Sequence, residues 1–186
     1  MTFETGDIII LKRPKRGVFD TIWTFIRQFI SFFIFNSGLI EAVDKYYHIE
    51  LGYLSDIVLS QEPPYCGLRR ETAKVRVYRL RNWTGNMSMA FDKYKSETLY
   101  MPFDWRKFWG LVLGAIFHTD KFALRWKDDK RDMCAEYVAR FYEKIGVPLG
   151  VNPDNCLPRD INKYCSEHPE LFIMVRDDDV RRCKKC

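Results

Sequence analysis

Cys134 stands at the start of a strong helical pattern, where a cysteine is well placed to act as a nucleophile. Apolar residues recur at helical spacing at Cys134, Val138, Phe141 and Ile145, so the thiol lies at the N-terminal end of the buried stripe. Free backbone N–H groups and the helix dipole stabilise a thiolate there, and Arg131 adds a nearby positive charge. Taken alone, the helix still favours a small core residue, because unpaired cysteine is often buried.

Three residues mark the ends of this helix. Asp132 is predicted to be the N-cap, because its carboxylate can accept hydrogen bonds from the first free N–H groups. Gly146 stands where a left-handed residue is expected after the last turn, and Pro148 then stops the helix. The sequence therefore predicts that Cys134 lies in the first turn.

A cysteine nucleophile needs a base within hydrogen-bond reach, and that base needs a partner that orients it. His48 is the histidine that lies on a predicted strand, on the same side as Glu50. On the adjacent predicted strand, Glu62 is placed to contact the imidazole, with Gln61 as an alternative, while Glu50 competes from the strand of His48 itself. Together with Cys134, these residues favour a catalytic interpretation over a structural one.

The remaining pattern of apolar and turn residues predicts an α+β domain. In the first half of the chain we expect a buried strand at GDIIIL, an aromatic helix over 20–35, and a hairpin over 46–54 and 56–62 that ends at Pro63 and Pro64. A turn-like YCGLRRE and a strand over 74–80 follow. The second half is expected to contain an exposed turn over 82–86, a helix within 101–118, the Cys134 helix, a surface segment over 147–172 and a last strand at LFIMV. We expect one domain over residues 1–176, with a mostly antiparallel sheet packed against the Cys134 helix, and a basic cysteine-containing tail over 177–186.

Several of these segments resemble the circularly permuted branch of the NlpC-type, papain-like cysteine hydrolases, in which the histidine strand precedes the cysteine helix. The matching segments cover most of the chain from Gly6 to about Tyr164 and are GDIIIL, the aromatic helix, YYHIELGYLSDIVLSQEPPYCGL, DMCAEYVARFY and LPRDINKY. HTDKF, with Asp120 to Phe122, is similar to the stretch before the catalytic helix. Residues 82–118 match poorly, and Glu50 stands where relatives have a small apolar residue.

The resemblance implies a papain-like fold in which Cys134 is the nucleophile, His48 the general base and Glu62 the orienting residue. It implies cleavage of amide bonds in the peptides of bacterial cell-wall peptidoglycan. Lecithin retinol acyltransferase and related phospholipases share the scaffold, so a lipid acyl hydrolase or acyltransferase is the alternative. A structural or binding protein that keeps the scaffold without catalysis is the third hypothesis.

Charge and composition bear on partners and location. The net charge of +5, from 30 basic and 25 acidic residues, is modest and its clusters are scattered, so no nucleic-acid partner is expected. The apolar segment over 18–35 contains Asp20, Arg27 and Gln28, so it is predicted to be enclosed by the domain, with a membrane surface or a protein partner as the alternative. No signal peptide is predicted, and we interpret this as consistent with a phage- or virus-borne enzyme, virion-associated or delivered to the cell envelope.

The cysteines form no clear metal site. Cys183 and Cys186, in CKKC, are spaced like half of a zinc site that Cys156, Cys165 or His168 would complete, but a second half with ligand spacing is missing. The sequence therefore predicts no metal and no cofactor. A disulfide among the four C-terminal cysteines stays open, because connectivity cannot be read from spacing.

Overall fold

The computed structural model describes residues 2–12, 46–71, 74–116 and 131–178 of the chain. The predicted aromatic helix over 20–35, HTDKF and the CKKC tail lie outside these ranges. The described strands are β1 (Ile8–Lys12), β2 (Tyr46–Leu54), β3 (Ile57–Glu62), β4 (Tyr65–Arg70), β5 (Val75–Leu80) and β6 (Phe172–Asp177). The described helices are α1 (Gly85–Thr98), α2 (Trp105–Ile116), α3 (Cys134–Lys144) and α4 (Pro158–Glu167), with a short 3-10 helix at Pro153–Asn155.

The six described strands form one antiparallel sheet in the order β4–β3–β2–β1–β5–β6. β1 lies in the middle, where Ile9 is opposite Glu50 of β2 on one side and Val77 of β5 on the other. The predicted hairpin of β2 and β3 is present. The α+β class and the antiparallel sheet are therefore confirmed.

β1 is buried on both faces, as its unbroken apolar run indicates. Ile8 and Ile10 belong to the main hydrophobic cluster together with residues of α3, whereas Ile9 and Leu11 belong to a second cluster. The other members of that second cluster are Phe3, Val58, Val75 and Val77. A strand buried in this way fixes the register of both neighbouring strands.

α3 is the central helix of the main cluster. Phe141 meets the ring of Phe91 from α1 edge-on, with 5.2 Å between ring centroids. The Tyr94 hydroxyl donates to the carbonyl oxygen of Tyr137 at 2.9 Å, and the Tyr142 hydroxyl donates to the carbonyl oxygen of Gly6 at 2.6 Å. These contacts hold α3 between α1 and the segment that leads into β1.

Three predictions of local structure were wrong. The YCGLRRE segment forms β4, because the chain reverses at Pro63 and Pro64 and its backbone then pairs with β3 from Tyr65 to Arg70. The predicted exposed turn over 82–86 is present only over 82–84, because α1 begins at Gly85, where the hydroxyl of Thr84 accepts from the N–H of Met87. The predicted surface segment over 147–172 contains α4, which buries Ile161 and Cys165.

The start of α3 also differs from the prediction. The N-cap is Met133, whose N–H donates to the Glu136 carboxylate at 3.0 Å. Asp132 was expected to be the cap, but its carboxylate lies 3.0 Å from the guanidinium of Arg140. At the other end Gly146 has the predicted left-handed backbone, with φ of +79°. The helix begins at Cys134 itself.

Candidate active site

Cys134 is the first residue of α3 and is almost fully buried. The first N–H groups of a helix have no carbonyl of their own helix to pair with, and the dipole makes this end positive. Glu136 occupies part of this end through its bond to the N–H of Met133. The Cys134 side chain therefore leaves the chain at the positive end of α3.

His48 is a buried residue of β2, and the Cys134 sulfur is among the neighbours that raise the pKa of its imidazole. Strand alternation places His48 and Glu50 on the other side of β2 from Ile49 and Leu51, which belong to the main cluster together with α3. The two residues that the sequence pairs as nucleophile and base lie together.

Two further groups meet the same imidazole. The hydroxyl of Ser60, on β3, lies 2.9 Å from Nε2 of His48. The Glu50 carboxylate lies 3.3 Å from the same nitrogen. Because Nε2 faces both of these groups, we infer that Nδ1 is the nitrogen that meets the Cys134 sulfur.

The pKa of His48 follows from these neighbours. Burial alone would lower its pKa, because a charged ring loses solvation. The negative charge of the Cys134 sulfur and its hydrogen bond, with those of Glu50, outweigh burial and raise the pKa to about 10. The negative groups that face the ring therefore favour its imidazolium form.

Glu50 is the carboxylate that the structure places against His48. Its side chain is fully buried, which by itself would raise its pKa. The hydrogen bond and charge of His48, together with Arg69 and Ser60, hold the pKa below its usual value instead. Arg69 donates to Oε1, whereas Oε2 has no hydrogen-bond partner among the described residues. Glu50 is thus a buried group whose ionised form is favoured by the cations that face it.

Glu62 and Gln61, the two candidates on β3, differ in what is described of their side chains. The backbone of Glu62 pairs with Tyr65 in the β3–β4 hairpin, but its side chain lies outside the described part, so its orienting role stays a prediction. Gln61 turns to the backbone before α3, where Nε2 donates to the carbonyl oxygens of Pro102 at 3.1 Å and Asp132 at 3.2 Å. Ser60, two residues before Glu62 along β3, was missed by the sequence reasoning, although strand alternation gives both residues the same side.

A buried charge network holds the beginning of α3 in place. Lys107 of α2 and Glu136 of α3 are both almost fully buried and form an ion pair, and Lys107 also donates to the carbonyl oxygen of Asp154. Arg140 lies 2.7 Å from the Asp154 carboxylate and 3.0 Å from that of Asp132. The sequence analysis missed this network, because it joins residues from three separate segments.

The other described cysteines are ordinary buried thiols. Cys66, Cys156 and Cys165 are free and buried. Burial raises the pKa of Cys66 to about 11 and that of Cys156 to about 12, and it also raises the pKa of Cys165. Each of these thiols thus stays protonated at neutral pH.

Among the described residues, no group of three or more His, Cys, Asp or Glu side chains could hold a metal ion. Nor does any helix in the described part of the chain have the length and apolarity to cross a membrane. Comparisons with protein-family models, curated proteins and solved structures find no match to this chain.

We predict that Gln61→Leu lowers the free energy of unfolding by about 2 kcal/mol, because the carbonyl oxygens of Pro102 and Asp132 lose a buried donor. Urea denaturation followed by circular dichroism measures the change. The control is Ser166→Ala, which removes an exposed hydroxyl bond to the carbonyl oxygen of Lys163 and is expected to cost less than about 0.5 kcal/mol. Equal losses in both variants would contradict the role of Gln61.

Proposed function

We propose that this chain is a cysteine hydrolase that cleaves amide bonds, with a permuted papain-like arrangement of its catalytic residues. The observation that carries the proposal is the buried His48, whose pKa the Cys134 sulfur raises and whose Nε2 lies 3.3 Å from the Glu50 carboxylate. A thiolate held against an imidazolium at a helix N-terminus is the arrangement that cysteine nucleophiles require. An inert core cysteine needs neither the base nor the carboxylate.

In the proposed mechanism the Cys134 sulfur attacks the carbonyl carbon of the substrate and forms a tetrahedral intermediate. N–H groups of the first turn of α3 bind the oxyanion, together with a second donor that is not identified. His48 gives its proton to the leaving amine, and a thioester to Cys134 remains. The neutral imidazole then takes a proton from water, whose oxygen attacks the thioester and releases the acid and the thiol.

Glu50 takes the orienting role in this mechanism. It fixes the ring through Nε2 and favours the protonated form that the first step consumes. Ser60 meets the same nitrogen, so the ring is held from β2 and from β3 at once. Glu62, which the family resemblance favours, is expected to add to this arrangement rather than to replace Glu50.

The proposed substrate is the peptide part of bacterial cell-wall peptidoglycan, as the resemblance implies. A lipid acyl hydrolase is the second candidate, because the described surface carries large apolar side chains that an acyl chain or bilayer would contact. Tyr65 and Tyr100 pack against each other with 5.6 Å between ring centroids while 48% and 70% exposed. Leu68, Trp105 and Trp109 are about half exposed as well.

We predict that iodoacetamide at about pH 6 labels Cys134 well ahead of the other cysteines, because an ordinary thiol is almost wholly protonated there. Peptide mass spectrometry after short exposure measures the labelling of each cysteine. His48→Ala is expected to slow labelling of Cys134 by about tenfold or more at pH 6, and by much less near pH 9. Cys156 serves as an internal control, because its raised pKa keeps it protonated at both values. Labelling of Cys134 that does not depend on His48 would refute the proposed ion pair.

The substrate class is tested by two assays on the same protein. We expect purified cell wall to release new amino groups, and phospholipid vesicles to release no fatty acid. Cys134→Ala is expected to abolish the release, and Glu50→Gln to reduce it by about a hundredfold, because the imidazole loses its orienting charge. Fatty-acid release alone would favour the lipid hydrolase. Unchanged biological function of Cys134→Ala would favour the non-catalytic hypothesis.

A further inference from the structure

A second charged layer stands behind the carboxylate that orients His48. Arg69 lies on β4 and reaches across β3 to β2, where its Nη2 donates to Oε1 of Glu50. The same Nη2 lies 3.2 Å from the carboxylate of Glu71, which is also buried. The Arg69 side chain is 33% exposed, so its charge is partly solvated while that of Glu50 is not.

We propose that Arg69 is a positioning residue that acts on the Cys134–His48 pair through Glu50, supplying the positive charge that lets a buried carboxylate face the imidazolium. This inference rests on the proposed function. It extends that proposal from the residues that touch substrate to the residue that sets the charge of their surroundings.

Opposite charges must balance among these mostly buried groups. The thiolate of Cys134 and the carboxylate of Glu50 are negative, and the imidazolium of His48 and the guanidinium of Arg69 are positive. Without Arg69, two anions would face one cation, and a buried group with an uncompensated charge takes up or releases a proton. The proton would return to one of the anions, so the reactive thiolate would form only at higher pH.

Other described groups also lie around the site, and substitution of Arg69 removes an ion pair of Glu71. Ser60 of β3 is neutral, and Glu71 of β4 adds a negative charge beside Arg69. Cys156, just after the 3-10 helix, senses the charge of Cys134 but remains protonated. A change in pH dependence that follows substitution of Arg69 therefore reports on its guanidinium.

The test is the rate of Cys134 alkylation by iodoacetamide between about pH 5 and about pH 9 in the full-length chain. Arg69→Gln is expected to raise the midpoint of this profile by roughly one pH unit. Arg69→Lys keeps the positive charge, so its midpoint is expected to lie close to that of the wild type. The matched control is Arg70→Gln, the next residue of β4, which loses the same charge from a pair with Asp56 at 2.8 Å. Its midpoint is expected to equal that of the wild type.

If Arg69→Gln folds poorly, the same substitution can be tested in the Glu50→Gln variant. Glu50→Gln removes the buried carboxylate that needs Arg69, so the Glu50→Gln/Arg69→Gln double variant leaves no unpaired charge at Glu50. If Arg69 acts through Glu50, its substitution in this background should shift the midpoint less than half as far as in the wild type. An equal shift in both backgrounds, an unchanged midpoint in Arg69→Gln, or no rescue by lysine would overturn the inference.

The readout separates this inference from the proposed function, because alkylation needs no substrate. A shifted midpoint in a protein that hydrolyses nothing would support the role of Arg69 and contradict the hydrolase. Labelling that depends on His48 but not on Arg69 would contradict the role of Arg69 alone.

Discussion

Several charged groups are buried near the start of α3, and each of them must face a group of opposite charge. A buried imidazolium next to a buried carboxylate is stable only when the opposite charges lie within contact distance. His48 meets this condition through Cys134 and Glu50, and Glu50 meets it through His48 and Arg69. The proposed chemistry of the sulfur depends on the same arrangement, because Glu50 stabilises the positive form of the ring that we propose to face a thiolate.

The scaffold brings these groups together from distant parts of the chain. The sheet positions His48, Glu50, Ser60 and Arg69 on three adjacent strands, and the buried run of β1 fixes the register of β2, which carries His48 and Glu50. A separate network around Lys107 and Glu136 fixes where α3 begins. Gln61 links the sheet to the segment before α3, since it belongs to β3 and its side chain donates to the carbonyl oxygen of Asp132. The distance between sulfur and imidazole is thus controlled by packing outside the site.

Local patterns in the sequence were sufficient for the elements with strong periodicity. The apolar run of β1, the alternation of β2 and the stripe of α3 predicted their own structures, and the pairing of Cys134 with His48 followed from the position of each on its element. The errors fall where tertiary contacts override local signals. The YCGLRRE segment looks like a turn until β3 lies beside it, and Asp132 looks like a cap until Arg140 competes for its carboxylate.

The orienting carboxylate could not be chosen from sequence, because Glu50, Gln61 and Glu62 all lie within strand reach of His48. Which carboxylate meets His48 depends on the direction in which each side chain leaves its strand. It also depends on the position of Arg69, which donates to Glu50 and lies 19 residues further along the chain. The prediction favoured Glu62 on the family resemblance, and among the described side chains Glu50 and Ser60 contact the imidazole. Departure from the pattern of relatives at Glu50 was the signal that pointed to it.

The central claim is that His48 is an imidazolium because Cys134 faces it as a thiolate. Nitrogen-15 NMR of the histidine-labelled protein tests this directly, since the chain has only 3 histidines and the ring shifts distinguish the charged from the neutral form. The account predicts that at neutral pH both ring nitrogens of His48 carry protons, and that Cys134→Ala lowers the pKa of the ring by more than about one unit. A neutral His48 at that pH, or a titration that Cys134→Ala leaves unchanged, would contradict it.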